Sequence, residues 1–307
     1  MARTRFVGDP GLTARMTLVI LLLGAAFVAL IAVVMSILAA AGLGSLALLA
    51  GVAGIGVAGY QWYSSDSVAM RAMRAREVTP QEAPELHAMV ARLATRAGMP
   101  MPRVGIADTG MANAFATGRS PSRAVVVVTT GILQVLDADE LEGVLAHELS
   151  HVAHRDVLVM TAASSAGIAA GMLTQGAQYG AWFGGGRREN NSGLPIWLAV
   201  LLVSVVTYAV TFLLIKLLSR YRELSADRAG ALLTERPDAL ASALRKIAGH
   251  SSHLDQRRAA SVGAMNALLI APAIKDLSLR TLTSTHPTLE QRLEQLARIE
   301  ADLRASR

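Results

Sequence analysis

Between Met16 and Ser65 the chain carries no Asp, Glu, Lys or Arg, a run of about 50 residues where a single bilayer crossing needs about 20. A soluble domain has nowhere to bury so long an uncharged segment, so the run predicts a membrane hairpin. Gly42, Gly44 and Ser45 are the natural reversal, with one helix near Met16–Ala41 and a second near Leu46–Tyr63. A cleaved signal peptide would show an apolar core of only about 7–15 residues before a small-residue cleavage site, so a retained anchor is expected. Two further stretches follow. Val157–Gly186 carries no formal charge, and Leu194–Ile215 carries none before Lys216. The second reads as a span. The first contains Ser164, Ser165, Thr174, Gln175, Gln178 and several glycines, and reads as a span or as a buried helix packed through small residues.

Composition divides the chain in the same way. Only 17% of residues are charged while 52% are apolar and 4% aromatic, which places long aliphatic stretches beside more ordinary soluble segments. With no cysteine, any metal must be held by imidazole and carboxylate. The net charge of +6 comes from scattered Arg and Lys without an aromatic-interleaved basic stripe, so a lipid bilayer is the expected partner and nucleic acid is not. Arg3, Arg5 and Arg15 precede the hairpin, and Arg71, Arg74 and Arg76 follow it, placing both flanks in the cytoplasm by the positive-inside rule. Lys216, Arg220 and Arg222 agree, whereas Arg187 and Arg188 pull the other way and are outweighed.

The remaining segments read as soluble structure. Thr79-Pro80-Gln81-Glu82 combines an N-cap, a proline at N1 and a Glu at N3, and predicts a helix ending near Gly98 with Leu86, Met89, Val90, Leu93 and Ala97 on one face. Arg103–Ala107, Asn113–Thr117 and Ala124–Thr129 predict a small sheet. Asp137 to Glu140 caps a helix through Leu141, Val144, Leu145 and Val152, and a last helix covers roughly Thr288–Leu303.

The capped helix carries His147-Glu148-Leu149-Ser150-His151. Imidazoles four apart sit about 40° apart on one helical face and one turn along the axis, so both can reach one ion. Glu148 lies beside that ion, where a carboxylate can take a proton from an attacking water. The arrangement points to zinc-dependent hydrolysis of peptide bonds, with one Zn2+ per chain. A catalytic site needs a third protein ligand. His154 faces the same way but lies about 10 Å along the axis from His147, too far for a straight helix to wrap. Glu223 begins Glu223-Leu224-Ser225-Ala226-Asp227, two carboxylates four apart on one face, and is assigned to the metal, with Asp227 hydrogen-bonding a ligand imidazole. The alternative is an exposed helix face paired with Arg222 or Arg228. Asp156, five residues after His151, reads as a cap or as a neutralising charge at the junction between helix and membrane. His87, His250 and His253 have no partner at ligand spacing and receive no role.

These features in order, completed by Asn113-Ala114-Phe115-Ala116-Thr117-Gly118, Arg222-Glu223 and His286-Pro287 with Arg292, resemble the HtpX-type membrane proteases and the wider family that includes the CAAX prenyl endopeptidases. The resemblance implies that Glu223 is the third ligand, that Asn113, Ala114 and Phe115 line the substrate cleft, and that His286 lies near the transition-state oxyanion. Taken by itself, Asn113–Thr117 reads as an exposed strand able to pair with an extended peptide, or as an ordinary edge strand. His286 reads as an oxyanion donor or as a cap before Pro287.

The expectation is a helical membrane anchor plus an α+β zincin-like catalytic domain, predominantly helical with a small sheet. Residues 1–15 form a cytoplasmic tail, 16–65 the hairpin, 66–156 and 219–307 the two parts of the catalytic domain, and 157–218 two inserted apolar helices. The function expected is cleavage of misfolded or exposed membrane-protein segments at a bacterial inner membrane, as stress-response quality control. Narrower processing of the prenyl-endopeptidase kind, or a non-catalytic membrane protein with a structural metal, are the alternatives.

Overall fold

The structure, a computed structural model, describes residues 10–40, 52, 56, 59–60, 63–156, 159–160, 196–254 and 287–306. In chain order these form α1 (Pro10–Ala40), α2 (Ser65–Ala72), β1 (Ala75–Glu77), α3 (Pro84–Ala97), β2 (Arg103–Ala107), β3 (Ala114–Thr117), a 3-10 turn (Pro121–Arg123), β4 (Val125–Thr129), α4 (Thr130–Val135), α5 (Ala138–Ala153), α6 (Ile196–Thr234), α7 (Pro237–Leu254) and α8 (Leu289–Ala305). The chain is mostly helical, with one mixed sheet. It divides into two compact units. Tyr63–Leu158 and Ser219–Arg307 make one with Met1–Thr13, and Ala14–Trp62 with Val159–Leu218 make the other.

The second unit holds most of α1 and the first part of α6. Among the described residues these are the two helices long and apolar enough to cross a membrane. Leu18, Leu21, Val28 and Ile31 on α1, and Leu202, Val206 and Leu213 on α6, are exposed. An aliphatic surface on helices of this length suits hydrocarbon rather than water. On α6 the ammonium of Lys216 lies 4.2 Å from the Phe212 ring centroid, a cation–π contact at the end of its apolar stretch. The expected Gly42 reversal and nearly all of the second hairpin helix lie outside the described residues. So does most of Val157–Gly186.

The first unit is built on a four-stranded sheet of order β1-β2-β4-β3. β4 is parallel to β2 and antiparallel to β3, and β1 is antiparallel to β2. Central β4, Val125-Val126-Val127-Val128-Thr129, is buried along its whole length, as a β-branched strand covered on both faces should be. Alternation sends Val104, Ala114, Val126 and Val128 into the main core with Leu93 of α3, Leu145 and Leu149 of α5, Leu244 of α7 and Leu296 of α8. Ala107, Phe115, Val125 and Val127 face the other way, against Ala69 of α2 and Met73, its C-cap. A one-residue slip in β4 would exchange these two sets.

Two expectations need correction. Thr79 and Glu82 do make their reciprocal bonds, with Thr79 N donating to Glu82 Oε2 at 2.7 Å and Glu82 N to Thr79 Oγ1 at 3.4 Å. The helix nevertheless begins only at Pro84, because that proline has no N–H for the Pro80 carbonyl and holds Ala83 at φ −140°, ψ 65°. Asn113–Phe115, expected to be exposed, is buried: Asn113 is 1% exposed, Ala114 0% and Phe115 3%. The side chains of β3 are committed to the two cores, and the edge that faces away from β4 meets α5 at Ala116. β1, three residues long, was not anticipated. α3 ends at Gly98 with φ 64°, a left-handed C-cap that glycine adopts without strain.

Candidate active site

α5 begins with a capping box. Glu140 N donates to Asp137 Oδ1 and Asp137 N to Glu140 Oε2, each at 3.0 Å, which satisfies two N–H groups of the first turn. Burial pushes the Glu140 carboxyl up, but hydrogen bonds from Lys246 (2.6 Å) and Ser242 (2.7 Å) of α7 outweigh it and hold the group below its ordinary value. The start of α5 is thereby tied to α7, and the rest of the helix lies in the core. His147 is 1% exposed and Glu148 5%.

The Nε2 atoms of His147 and His151 face each other at 3.2 Å. Glu223 of α6 brings Oε2 to 3.7 Å from His147 Nε2 and Oε1 to 3.6 Å from His151 Nε2. Ligands at 2.0–2.1 Å from a tetrahedral ion lie about 3.4 Å apart. Two imidazole nitrogens and a carboxylate, mutually spaced near that value and almost out of water, fit one ion. His154, the other candidate from the sequence, ends α5 as its C-cap instead.

Behind these groups stands a set of buried ion pairs. Asp227, one turn beyond Glu223, places Oδ1 2.9 Å from His147 Nδ1. Arg292 of α8 clamps Asp227 with both arms, Nε to Oδ2 at 2.7 Å and Nη2 to Oδ1 at 2.6 Å, and its Nη1 lies 3.8 Å from Glu223 Oε2. Burial would depress the guanidinium, but Asp227 outweighs this, and the Arg292 pKa is raised. On the other side Asp156 Oδ2 lies 2.5 Å from His151 Nδ1 and 2.9 Å from Arg222 Nε. Burial would raise the Asp156 carboxyl. Arg222 and His151 overcome that and hold it down at about 2.

Glu148 accepts a hydrogen bond from the Ala116 main-chain N–H of β3 at 3.0 Å. Burial pushes its carboxyl up to about 7; the neighbouring His151 opposes the rise and Glu223 adds to it. A base poised there can accept and return a proton near neutral pH. β3 is held in place by Thr129, whose hydroxyl accepts from Asn113 N at 2.9 Å and lies 2.8 Å from Asn113 O and 2.6 Å from Met111 O. The Asn113 carbonyl also accepts from Thr129 N at 3.0 Å, so alternate residues Asn113, Phe115 and Thr117 point their main chain at β4, while Ala114 and Ala116 point theirs away from it.

The approach of α6 to α5 depends on a glycine. A Cβ on Gly230 would meet His147 N at 2.8 Å, His147 Cα at 3.1 Å and the Ala146 carbonyl carbon at 3.2 Å. Neither Gly230 nor the Asp156–Arg222 and Asp227–Arg292 pairings were foreseen. Gly230 does carry a sequence signal, since Glu223, Asp227 and Gly230 follow i, i+4, i+7 spacing on one face of α6. His286 lies outside the described residues.

Residues 80–300 match the model of peptidase family M48. The chain is 52% identical over 231 residues to protease HtpX homolog 1 of Streptomyces coelicolor, covering 75% of each chain. It is 49% identical to the protease HtpX homolog of Moorella thermoacetica, covering 76% of this chain and 78% of that one. Protease HtpX homolog 2 of Methanosarcina acetivorans is 47% identical, over 75% and 77%. Among solved structures, S. mikatae Ste24p shares the fold with a TM-score of 0.57 at 19% identity, over 87% of this chain and 62% of that one.

Proposed function

Because the chain belongs to peptidase family M48, we propose that it is a membrane-anchored zinc endopeptidase in which His147, His151 and Glu223 hold the ion and Glu148 is the general base. The observation that carries this reading is the convergence of two imidazoles and a carboxylate at ligand spacing, with Glu148 one residue along from His147 and aimed at the β3 edge. Zinc bound there supplies a Lewis acid for a peptide carbonyl and brings the pKa of water towards 7. Glu148 takes the proton of the attacking water and hands it to the leaving amine. Asp227 and Asp156 keep the two imidazoles turned towards the ion through their Nδ1 atoms.

Substrate enters as an extended strand beside Asn113, Ala114 and Phe115, at the end of β3 where half-buried Ala116 turns its main chain away from β4. The N–H of Ala116 already meets Glu148, so a strand seated there runs past the base. Main-chain pairing asks little of sequence, which suits cleavage of unfolded or exposed polypeptide. His286 is assigned to the oxyanion. A capped helix over a mixed sheet whose edge strand borders the metal ligands supports a zincin-like domain. The arginines flanking the apolar segments support a cytoplasmic domain at a bacterial inner membrane. The substrates that follow are misfolded or exposed segments of membrane proteins, because α6 runs from its apolar stretch to Glu223 in about two turns beyond Lys216. Among the described residues, no feature of the site favours processing of prenylated peptides.

Glu148→Gln tests the assignment: zinc content is retained while cleavage of casein or a membrane-protein substrate disappears. Unchanged cleavage rejects Glu148 as the base. His151→Ala loses both.

A further inference from the structure

Each of the two imidazoles facing the metal site is backed by its own carboxylate, and each carboxylate by its own arginine. His147 leans on Asp227 and Arg292, and His151 on Asp156 and Arg222. The two chains of contacts share no residue. Both draw on α6, which supplies Asp227 to one and Arg222 to the other, and they differ in their remaining member: Arg292 comes from α8, whereas Asp156 follows α5 directly. Asp156 reaches back to His151 just after Arg155 adopts φ 56°, a left-handed conformation that a non-glycine residue keeps only where its surroundings hold it.

We propose that Arg292 and Arg222 are positioning residues for the metal site, each acting through one aspartate to fix the rotation of one ligand histidine. The inference rests on the zinc-site reading above. Asp227 is 0% exposed, Asp156 3% and Arg292 2%. Without its arginine, either aspartate would be a buried carboxylate with nothing to hold its rotamer, free to turn from the imidazole. The bidentate clamp on Asp227 fixes both oxygens, so one remains directed at His147 Nδ1.

The charge of the arginines makes the proposal decidable by sign. If they acted only as charges, removing one would strengthen binding of a dication, because a nearby positive charge has gone. If they position the ligands, removing one weakens it. Zinc affinity is measured by chelator competition on the full chain in detergent, with thermal unfolding of the metal-free protein as the control for folding. Arg292→Gln and Arg222→Gln are each expected to weaken zinc binding about 10–100-fold, the range typical of lost hydrogen-bond partners to metal ligands. Their double variant should lose the product of the two factors, whereas Arg292→Gln should add little to Asp227→Asn, which already breaks the same chain of contacts. Arg292→Lys keeps the charge without the two-armed clamp and should fall between wild type and Arg292→Gln, which serves if the glutamine variant does not fold. Unchanged or tighter zinc binding in folded arginine variants overturns the proposal while leaving the zinc site intact. A wild-type chain that binds no zinc overturns both.

Discussion

Gly230→Ala tests how closely α6 must approach α5 for the metal site to exist. The new methyl carbon would sit 2.8 Å from His147 N, 3.1 Å from His147 Cα and 3.2 Å from the Ala146 carbonyl carbon, all backbone atoms of a helix that cannot swing aside as a side chain can. Comfortable contact begins near 3.5 Å, so α6 must withdraw by roughly 0.7 Å. Glu223 and Asp227 lie on the same face, two turns and one turn before Gly230, and move with it. Overpacking of this kind costs about 1–3 kcal/mol, while replacing a helical glycine by alanine returns about 1 kcal/mol, so the folded metal-free protein should lose no more than about 2 kcal/mol. Metal ligands tolerate about 0.2 Å of error, well under the displacement. Zinc affinity should therefore fall at least ~10-fold, and cleavage with it, out of proportion to the change in stability. Chelator competition and thermal unfolding, with and without zinc, separate the two effects. Gly249→Ala is the control: nothing lies within 4 Å of a Cβ there, so it should leave zinc binding unchanged. Wild-type zinc affinity in Gly230→Ala would refute the claim that helix approach sets the ligand geometry.

Thr129→Val removes the hydroxyl that holds the main chain of Asn113 while keeping the strand's shape, and leaves buried polar groups without that partner. It should cost about 1–3 kcal/mol by thermal unfolding and raise KM more than it lowers kcat, since β3 is the proposed substrate edge. The Glu140 carboxyl, held below its ordinary value by α7, stabilises the fold above the unfolded value of about 4.3, and that contribution disappears as pH falls through its lower folded value. Glu140→Gln should accordingly be less stable than wild type at pH 7, with the gap in Tm starting to close only once the pH falls below about 4.3; a gap independent of pH would refute the ion-pair account. Stripping the metal with a strong chelator should abolish cleavage and lower Tm, and equimolar zinc should restore both. Activity that survives complete metal removal contradicts the proposed reaction.

Local features of this molecule were legible in the sequence because each needs only one stretch of chain. Helical periodicity put His147 and His151 on one face, the Asp137–Glu140 box announced the start of their helix, and the uncharged run from Met16 announced the apolar helix α1. Even Glu223 and Asp227 stood out, since their spacing belongs to one helix. Neighbouring residues could also mislead: Thr79 and Glu82 formed their capping bonds, yet Pro84 delayed the helix.

Pairings between distant segments came only with the tertiary structure. Arg292 meets Asp227 across 65 positions, and the Ala116 N–H meets Glu148 across 32. No periodicity encodes such contacts, because they follow from how helices and sheet stack once their apolar faces are buried. The same stacking buried Asn113–Phe115, whose alternation said only that two faces existed and not that both would be covered. The chain alone therefore determined which side chains are proposed to bind and cleave; the packing of α5, α6 and α8 decided how those side chains are aimed, because orientation is a property of neighbours that the chain brings together only on folding.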